Sequence, residues 1–282
     1  MNRYTGKTTR ANGGGKAIGS KGTNGPKPTL IDFVVSSGKK IALIVGINYT
    51  GSSYALNGCV NDALSLSTFL KSTFGFNDSN IKLLTDETDE KPTKANIMKY
   101  ITEYITGDFD SVWISYSGHG TYTLDKNGDE NDKRDEQICP IDFETAGFIL
   151  DDTLNDILAT GMKDDKRCFF LFDSCHSGTM VDLKYRLFDG SNTIVESKKE
   201  IKGNVVSISG CKDVQTSADA YIDGKWAGAM TTAFLNSASK TKNKTFNNIV
   251  KNMVLYLKNN KFSQVPLLCS CTLLTNRDIF TV

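Results

Sequence analysis

Short apolar runs and amphipathic segments alternate along most of the chain. The apolar runs are four to six residues long and fall at 41–45, 81–84, 111–116, 167–172 and 205–208. Segments with apolar residues at helical spacing lie between or after them at 61–70, 93–105, 229–238 and 245–259. This alternation predicts an α/β fold, in which a mostly parallel central sheet carries helices on both faces. Leu267 and Leu268, which follow Pro266, predict one more strand at an edge of the sheet.

Charge is distributed unevenly between the first 29 residues and the rest of the chain. The whole sequence has 33 basic and 32 acidic residues, a net charge of +1. Residues 1–29 hold six of the basic residues, none of the acidic ones and seven of the 24 glycines, so the remainder has 27 basic against 32 acidic residues, or −5. Because the beginning of the chain has few apolar side chains to bury, residues 1–39 are predicted to be a flexible, basic, glycine-rich tail. Residues 40–282 are predicted to form the folded domain.

The overall composition argues against several classes of protein. A dedicated nucleic-acid binder usually has a marked basic excess, which this chain lacks. No apolar run approaches the roughly 20 residues that span a bilayer, and the first residues lack the apolar core of a signal peptide. Seven cysteines in a long chain are typical of reduced thiols rather than of a disulfide framework. We therefore expect a cytoplasmic protein without membrane or nucleic-acid partners.

Reactive side chains follow two of the predicted strands. The third strand ends at Ser117-Gly-His-Gly120, and the fourth ends at Asp173-Ser-Cys-His-Ser-Gly178. The carboxyl ends of parallel strands meet at one edge of a sheet, where α/β proteins bind their ligands. A thiol beside an imidazole there acts as a nucleophile toward carbonyl carbon. Of the chain's two histidines, His119 is the expected base, because the side chain of His176 diverges from its neighbour Cys175.

These two motifs resemble the catalytic motifs of metacaspases, the caspase-fold cysteine peptidases. The resemblance extends to residues 57–62, 208–219 and 228–231, and it covers the chain from about residue 40 onward. It implies a caspase-like three-layer sandwich and a cysteine endopeptidase with Cys175 as nucleophile and His119 as general acid/base. The backbone N–H groups of Gly120 and Cys175 would stabilise the oxyanion. No third catalytic side chain is evident in the sequence, so we expect a Cys-His dyad.

The resemblance also implies a substrate pocket for Arg or Lys. Its residues here would be Cys59, Asp62, Ser117 and Asp173. Asp173 lies two residues before Cys175, so alternation along the strand puts both side chains on one side. A carboxylate on an otherwise apolar strand costs desolvation energy unless a cation or donor pairs with it. The alternative interpretation of Asp173 is a structural ion pair or a backbone cap.

An acidic stretch and a later aspartate suggest a metal site. Residues 125–152 hold ten acidic residues, but Glu130 stands where an EF-hand loop needs glycine. By resemblance to metacaspases, activating Ca²⁺ would bind Asp135, Asp151, Asp152 and Asp182. A zinc site is disfavoured, because Cys269 and Cys271 have no second pair of ligands at a suitable spacing.

Self-processing and the partners follow from the same resemblance. Basic residues in exposed segments are expected cleavage sites, both in the tail and between residues 182 and 203, a polar stretch predicted to be a mobile loop. Substrates would be proteins or peptides with Arg or Lys at the cleavage position, and the protein would be a monomer. Two alternatives stay open. One is a calcium-independent, paracaspase-like peptidase, and the other is a catalytically silent binding protein on the same fold.

Overall fold

The computed structural model describes the chain from Gly38 to Phe280 with several gaps. The described residues are 38–124, 134–175, 180–188, 191–194, 199–211, 219–222, 224–275 and 277–280. In chain order, the strands of this part are β1 (Lys40–Gly46), β2 (Ile81–Thr85), β3 (Ser111–Ser117), β4 (Gly120–Leu124), β5 (Arg134–Ile138), β6 (Ile149–Leu150), β7 (Arg167–Asp173), β8 (Tyr185–Phe188), β9 (Ser191–Ile194), β10 (Asn204–Cys211), β11 (Asp219–Ile222), β12 (Lys225–Gly228) and β13 (Val265–Ser270). The helices are α1 (Cys59–Phe74), α2 (Lys94–Thr106), α3 (Phe143–Ala146), α4 (Asp151–Gly161), α5 (Ala229–Lys240) and α6 (Phe246–Asn259), with a short 3₁₀ helix at Asp78–Asn80.

The central sheet is mostly parallel on one side and antiparallel on the other. Within the described residues, its strand order is β2-β1-β3-β7-β10-β13-β8-β9. The first five of these strands run parallel, whereas β13, β8 and β9 each pair antiparallel with the preceding neighbour. The parallel strands β1, β3 and β7 are buried on both faces, which explains their continuous apolar runs.

Helices cover both faces of this sheet and form two apolar cores. On one face, Ile97 and Ile101 of α2 and Leu158 of α4 pack with the odd-numbered residues of β1, such as Leu43. On the other face, α1, α5 and α6 bury side chains around Trp113, including Phe234. The result is a three-layer α/β sandwich with the sheet in the middle, as predicted.

Smaller elements extend the sandwich at the edge where β3 and β7 end. Strands β4, β5 and β6 form a separate antiparallel sheet, and β11 and β12 form a two-stranded hairpin. The three-stranded sheet begins directly after β3 in the chain, and the hairpin follows β10. No helix in the described part of the chain is long and apolar enough to cross a membrane.

Two sequence predictions about the far side of the sheet are wrong. Strand β13 is not an edge strand, because β10 pairs with one side of it and β8 with the other. The stretch from 182 to 203 is not simply a loop, because it contains two strands. Strand β8 pairs with β13, and β9 is the last strand of the central sheet on that side. Antiparallel pairing with β13 satisfies the backbone of β8, and Leu187 on β8 buries its side chain in the core. Residues 1–37, the greater part of the predicted tail, lie outside the described residues, so the tail stays a prediction.

Candidate active site

The ends of β3 and β7 bring the Gly-His-Gly and Cys segments into contact. Ser117 pairs with Asp173 in parallel register, and the N–H of Gly118 donates to the carbonyl of Asp173 over 3.3 Å. A Cβ at position 120 would lie 2.0 Å from the carbonyl oxygen of Cys175, so only glycine fits there. The His119 and Cys175 segments therefore meet at one sheet edge, and Cys175 is half-buried.

A backbone carbonyl fixes one side of the His119 ring. Nε2 of His119 lies 2.7 Å from the carbonyl oxygen of Tyr54, which can only accept a hydrogen bond. The neutral ring therefore carries its proton on Nε2, and Nδ1 is left with the lone pair of a base. The Tyr54 carbonyl thus fixes the orientation and the tautomer of the imidazole.

Two buried tyrosines hold the backbone of His119 on both sides. The hydroxyl of Tyr49 accepts from the N–H of His119 (3.1 Å) and donates to the carbonyl of Cys139 (2.5 Å). The hydroxyl of Tyr116 donates to the carbonyl of His119 (2.7 Å) and accepts from the N–H of Cys139 (3.2 Å). Burial raises the pKa of both tyrosines above the usual value, so both stay neutral donors. The Tyr49 ring also lies against the imidazole, with centroids 4.8 Å apart.

The predicted pocket residues gather beside this centre. Ser117 Oγ donates to the Asp62 carboxylate over 2.7 Å, and the N–H of Gly228 donates to both oxygens of that carboxylate (2.9 and 3.0 Å). The N–H of Thr231, in the first turn of α5, donates to Asp173 over 2.7 Å. Asp62 and Asp173 are each only 1% exposed. Asp173 thus caps α5, which is one of the alternatives that its sequence position left open.

Two cysteines flank the pocket and the nucleophile as buried thiols. Cys59 is the first residue of α1 and is 2% exposed, three residues before Asp62. Cys139 is also buried, and burial together with the charge of Cys175 raises its pKa to about 12. Cys139 therefore stays a neutral thiol, whereas Cys175 is only half-buried and is the more accessible of the two.

The four aspartates of the predicted calcium site lie on three segments that contact one another. Asp135 is on β5, Asp151 and Asp152 begin α4, and Asp182 is in the loop that follows the nucleophile. The N–H of Glu136 donates to Asp151 (2.6 Å), and Asn155 of α4 donates to the carbonyl of Asp182 (3.1 Å). Burial, with the neighbouring Glu136, raises the pKa of Asp151 to about 8.

These aspartates do not form a ready-made cation site. Among the residues that the structure describes, no three His, Cys, Asp or Glu side chains are grouped so that they could hold a metal ion. The carboxylate of Asp151 already accepts from the N–H groups of Glu136 and Asp152. The carboxylate donors suit Ca²⁺, but their arrangement here does not.

Several residues of the site were not found from the sequence. Tyr54 contributes only a backbone carbonyl, and Tyr49 lies in a loop after β1, so neither has a recognisable chemical pattern. Gly228 and Thr231 lie in a segment that resembles metacaspases, but the resemblance assigns them no role; their N–H groups bind Asp62 and Asp173. His176, the rejected alternative base, lies outside the described residues.

Comparisons with known proteins identify relatives of this chain. The family profile "Metacaspase, peptidase C14 domain" matches residues 39–184. The protein named Metacaspase-1 in Debaryomyces hansenii is 33% identical over 330 aligned positions, which cover 94% of this chain and 74% of that protein. Metacaspase-1 of Saccharomyces cerevisiae is 35% identical, with 83% of this chain and 67% of that protein covered.

Solved structures share the fold at lower sequence identity. A protein from Geobacter sulfurreducens matches with a TM-score of 0.58 and 24% identity, covering 86% of this chain and 99% of that chain. Caspase-1 from Spodoptera frugiperda matches with a TM-score of 0.56 and 12% identity, covering 91% of this chain and 94% of that chain. The predicted caspase-like fold is therefore confirmed.

Proposed function

The chain belongs to the metacaspase family of cysteine peptidases, and from this premise we propose that it is an endopeptidase that cleaves after Arg or Lys. The observation that carries the proposal is the register of β3 and β7, which ends both strands at one sheet edge with Gly120 against Cys175. The proposed nucleophile Cys175 and the proposed base His119 then lie at neighbouring strand ends, beside the two acids Asp62 and Asp173. Proteins and peptides with a basic residue at the cleavage position are the proposed substrates.

The residues can perform both chemical steps. The Cys175 sulfur attacks the carbonyl carbon after the basic residue, with its proton taken by Nδ1 of His119. The N–H groups of Gly120 and Cys175 stabilise the negative oxygen of the tetrahedral intermediate. The C–N bond then breaks as His119 returns the proton to the leaving amine. Water, deprotonated by His119, hydrolyses the thioester and frees Cys175.

The dyad is tested with an Arg peptide that carries a fluorogenic leaving group. We expect turnover by the wild type and a loss of at least 1,000-fold in the Cys175→Ala and His119→Gln variants, because the nucleophile and base act as a unit. Full turnover by the Cys175→Ala variant would contradict the mechanism. A wild type that binds peptides but never cleaves them would favour the silent binding protein.

Asp62 and Asp173 are the proposed partners of the substrate cation. Two buried carboxylates that both lie against Gly228 support a positively charged ligand. Asp62 accepts from Ser117 Oγ and the N–H of Gly228, and Asp173 accepts from the N–H of Thr231. A guanidinium would share the carboxylate oxygens with these donors.

Charge-neutral substitutions test this pocket without removing its hydrogen-bond acceptors. Asp62→Asn and Asp173→Asn are each expected to lower kcat/KM for an Arg peptide about 100-fold, the effect of unpairing a buried charge. Asp173→Asn keeps an oxygen for the N–H of Thr231, so α5 keeps its cap. Unchanged kcat/KM in both variants would show that the pocket lies elsewhere.

Calcium activation is a further part of the proposal. The segments that carry Asp135, Asp151, Asp152 and Asp182 are in contact, but their carboxylates are not grouped in the described arrangement. Ca²⁺ would have to draw these side chains together against their mutual repulsion. When bound, it would neutralise this charge and hold Asp182 against β5 and α4. We expect EGTA to abolish turnover and excess Ca²⁺ to restore it. Full turnover in EGTA would favour the paracaspase-like alternative.

Self-processing is proposed at basic residues outside the central sheet. Lys184 and Lys199 are exposed, whereas Arg186 lies within β8, paired with Cys269. Lys198 and the tail residues lie outside the described part of the chain. We expect Ca²⁺ to generate fragments of the wild type that end in Lys or Arg, and none of Cys175→Ala. Intact wild-type chain after full activation of peptide turnover would contradict self-processing.

The proposed cellular state is a cytoplasmic monomer. Six cysteines of the described residues, at positions 59, 139, 168, 175, 269 and 271, are not in disulfides, which suits a reducing compartment. Light scattering at increasing protein concentration tests the monomer, and a mass that doubles in the active state would contradict it. Fractionation of cells that express the full chain tests the location.

A further inference from the structure

The hairpin β11–β12 exposes two large aromatic rings next to each other. Tyr221 and Trp226 are direct cross-strand partners, with ring centroids 5.6 Å apart in a T-shaped arrangement. Tyr221 is 67% exposed and Trp226 is 43% exposed. Isolated apolar side chains are common on surfaces, but a contiguous aromatic pair that leaves so much area in water usually contacts a ligand.

The alternation of β12 tells which way this ring pair faces. Lys225 reaches Ser65 of α1 (3.4 Å), and the backbone of Ala227 lies 2.8 Å from where a Cβ of Gly58 would be. These contacts place β12 beside the start of α1. Residues 226 and 228 share one face of β12, and a Cβ at Gly228 would lie 2.2 Å from Asp173 and 2.5 Å from Asp62. Trp226 thus projects on the side of the pocket acids.

The spacing suits an extended peptide whose basic side chain is in the pocket. Trp226 lies two residues from Gly228, which is about 7 Å along a strand. A substrate residue one or two positions from the basic residue is at a similar distance, about 3 to 7 Å. The ring pair and the acids can therefore contact two side chains of the same substrate.

We propose that Tyr221 and Trp226 bind an apolar side chain in one of the two substrate residues that precede the cleaved basic residue. This subsite rests on the proposed peptidase function and deepens it. The chemistry favours an apolar or aromatic side chain over a second cation. The rings offer an apolar area that matches an apolar or aromatic side chain.

The subsite is tested by the ratio of kcat/KM for a Phe peptide to kcat/KM for Gly-Gly-Arg. Wild-type enzyme with Ca²⁺ is offered fluorogenic Gly-Gly-Arg, Gly-Phe-Arg, Phe-Gly-Arg, Gly-Lys-Arg and Lys-Gly-Arg peptides. We expect kcat/KM for the better Phe peptide to exceed that for Gly-Gly-Arg by about 5- to 10-fold, as aromatic contacts commonly give. Trp226→Ser is expected to bring this ratio close to one, and Trp226→Tyr to keep most of it. Leu255→Ala, which removes an equally exposed apolar side chain from α6, should leave the ratio unchanged.

Several outcomes would overturn the proposal. A Phe:Gly ratio that is the same in Trp226→Ser and in the wild type excludes the ring pair as the subsite. A preference for a Lys peptide over both Phe peptides excludes an apolar ligand. Because misfolding lowers the rates of all peptides together, the ratio reports the subsite rather than stability.

A binding experiment separates this inference from the cleavage chemistry. The chain has two tryptophans, and Trp113 is fully buried, so acrylamide quenching reports Trp226. In the uncleaving Cys175→Ala variant with Ca²⁺, the better Phe peptide should protect Trp226 from quenching and Gly-Gly-Arg should protect it less. If a saturating Phe peptide gives no protection, or only as much as Gly-Gly-Arg, the subsite is refuted, even if Gly-Gly-Arg is cleaved normally. If the wild type cleaves no Arg or Lys peptide but the Phe peptide still protects Trp226, the peptidase function alone is refuted.

Discussion

The Tyr49 hydroxyl should support catalysis through the backbone of His119. In Tyr49→Phe, the N–H of His119 loses the acceptor that Tyr49 provides at 3.1 Å. The carbonyl of Cys139 loses the Tyr49 donor as well, because the one hydroxyl proton of Tyr116 is donated to the carbonyl of His119. Leaving one buried donor unsatisfied costs about 1–3 kcal/mol of unfolding free energy. Because a small misplacement of a catalytic group can cost up to about 100-fold in rate, we expect kcat to fall about 10- to 100-fold.

Separate measurements of stability and kinetics test this prediction. Urea unfolding gives the loss of stability, and steady-state kinetics on an Arg peptide should show a lower kcat with a nearly unchanged KM, since Tyr49 does not contact the pocket acids. Tyr104→Phe is the matched control, because Tyr104 is also buried but lies on α2, away from the site. A normal kcat in Tyr49→Phe, or an equal loss in Tyr104→Phe, would refute the positioning role.

Other predictions follow from single contacts. Gly120→Ala should abolish turnover while far-UV circular dichroism stays native, because its Cβ would overlap the Cys175 carbonyl; substantial turnover would contradict the close approach. Iodoacetamide at pH 8 should label Cys175 long before Cys139, whose pKa of about 12 leaves about one thiolate in 10⁴; mass spectrometry showing equal labelling would contradict the buried thiol. Lys166→Met should lower the urea-unfolding free energy by about 3 kcal/mol, because the buried Lys166 Nζ donates to three carbonyls at the end of α2; unchanged stability would contradict this cap.

Much of the fold could be predicted from apolar patterns that match the burial of each element. Strands β1, β3 and β7 are buried on both faces, so their sequences are continuous apolar runs with no helical period. The strands β8 and β9 are only four residues each, too short for the apolar pattern to define, and backbone pairing of β8 with β13 and of β9 with β8 holds them in the sheet. Backbone hydrogen bonds have no sequence pattern of their own.

In the candidate site, too, some residues could be predicted from the sequence and others could not. His119, Cys175 and Asp173 could be placed because each stands at or near the end of a strand that the apolar pattern defines, whereas Asp62, on α1, was predicted only from the resemblance to metacaspases. The partners of these residues could not. Tyr54 contributes a carbonyl and Gly228 an N–H, groups that every residue of that type carries, and only the folded chain shows where they lie. The exposed Tyr221–Trp226 pair was likewise invisible, because pairing across a hairpin depends on its register.

The central claim is that Cys175 attacks the carbonyl after a basic residue, and covalent capture tests it most directly. Wild-type enzyme with Ca²⁺ is incubated with matched peptidyl acyloxymethyl ketones that end in Arg or in Asp, and the labelled cysteine is located by tandem mass spectrometry. We predict one equivalent of label on Cys175 from the Arg probe and almost none from the Asp probe. Label on another cysteine, or equal labelling of Cys175 by the Asp probe, would contradict the account.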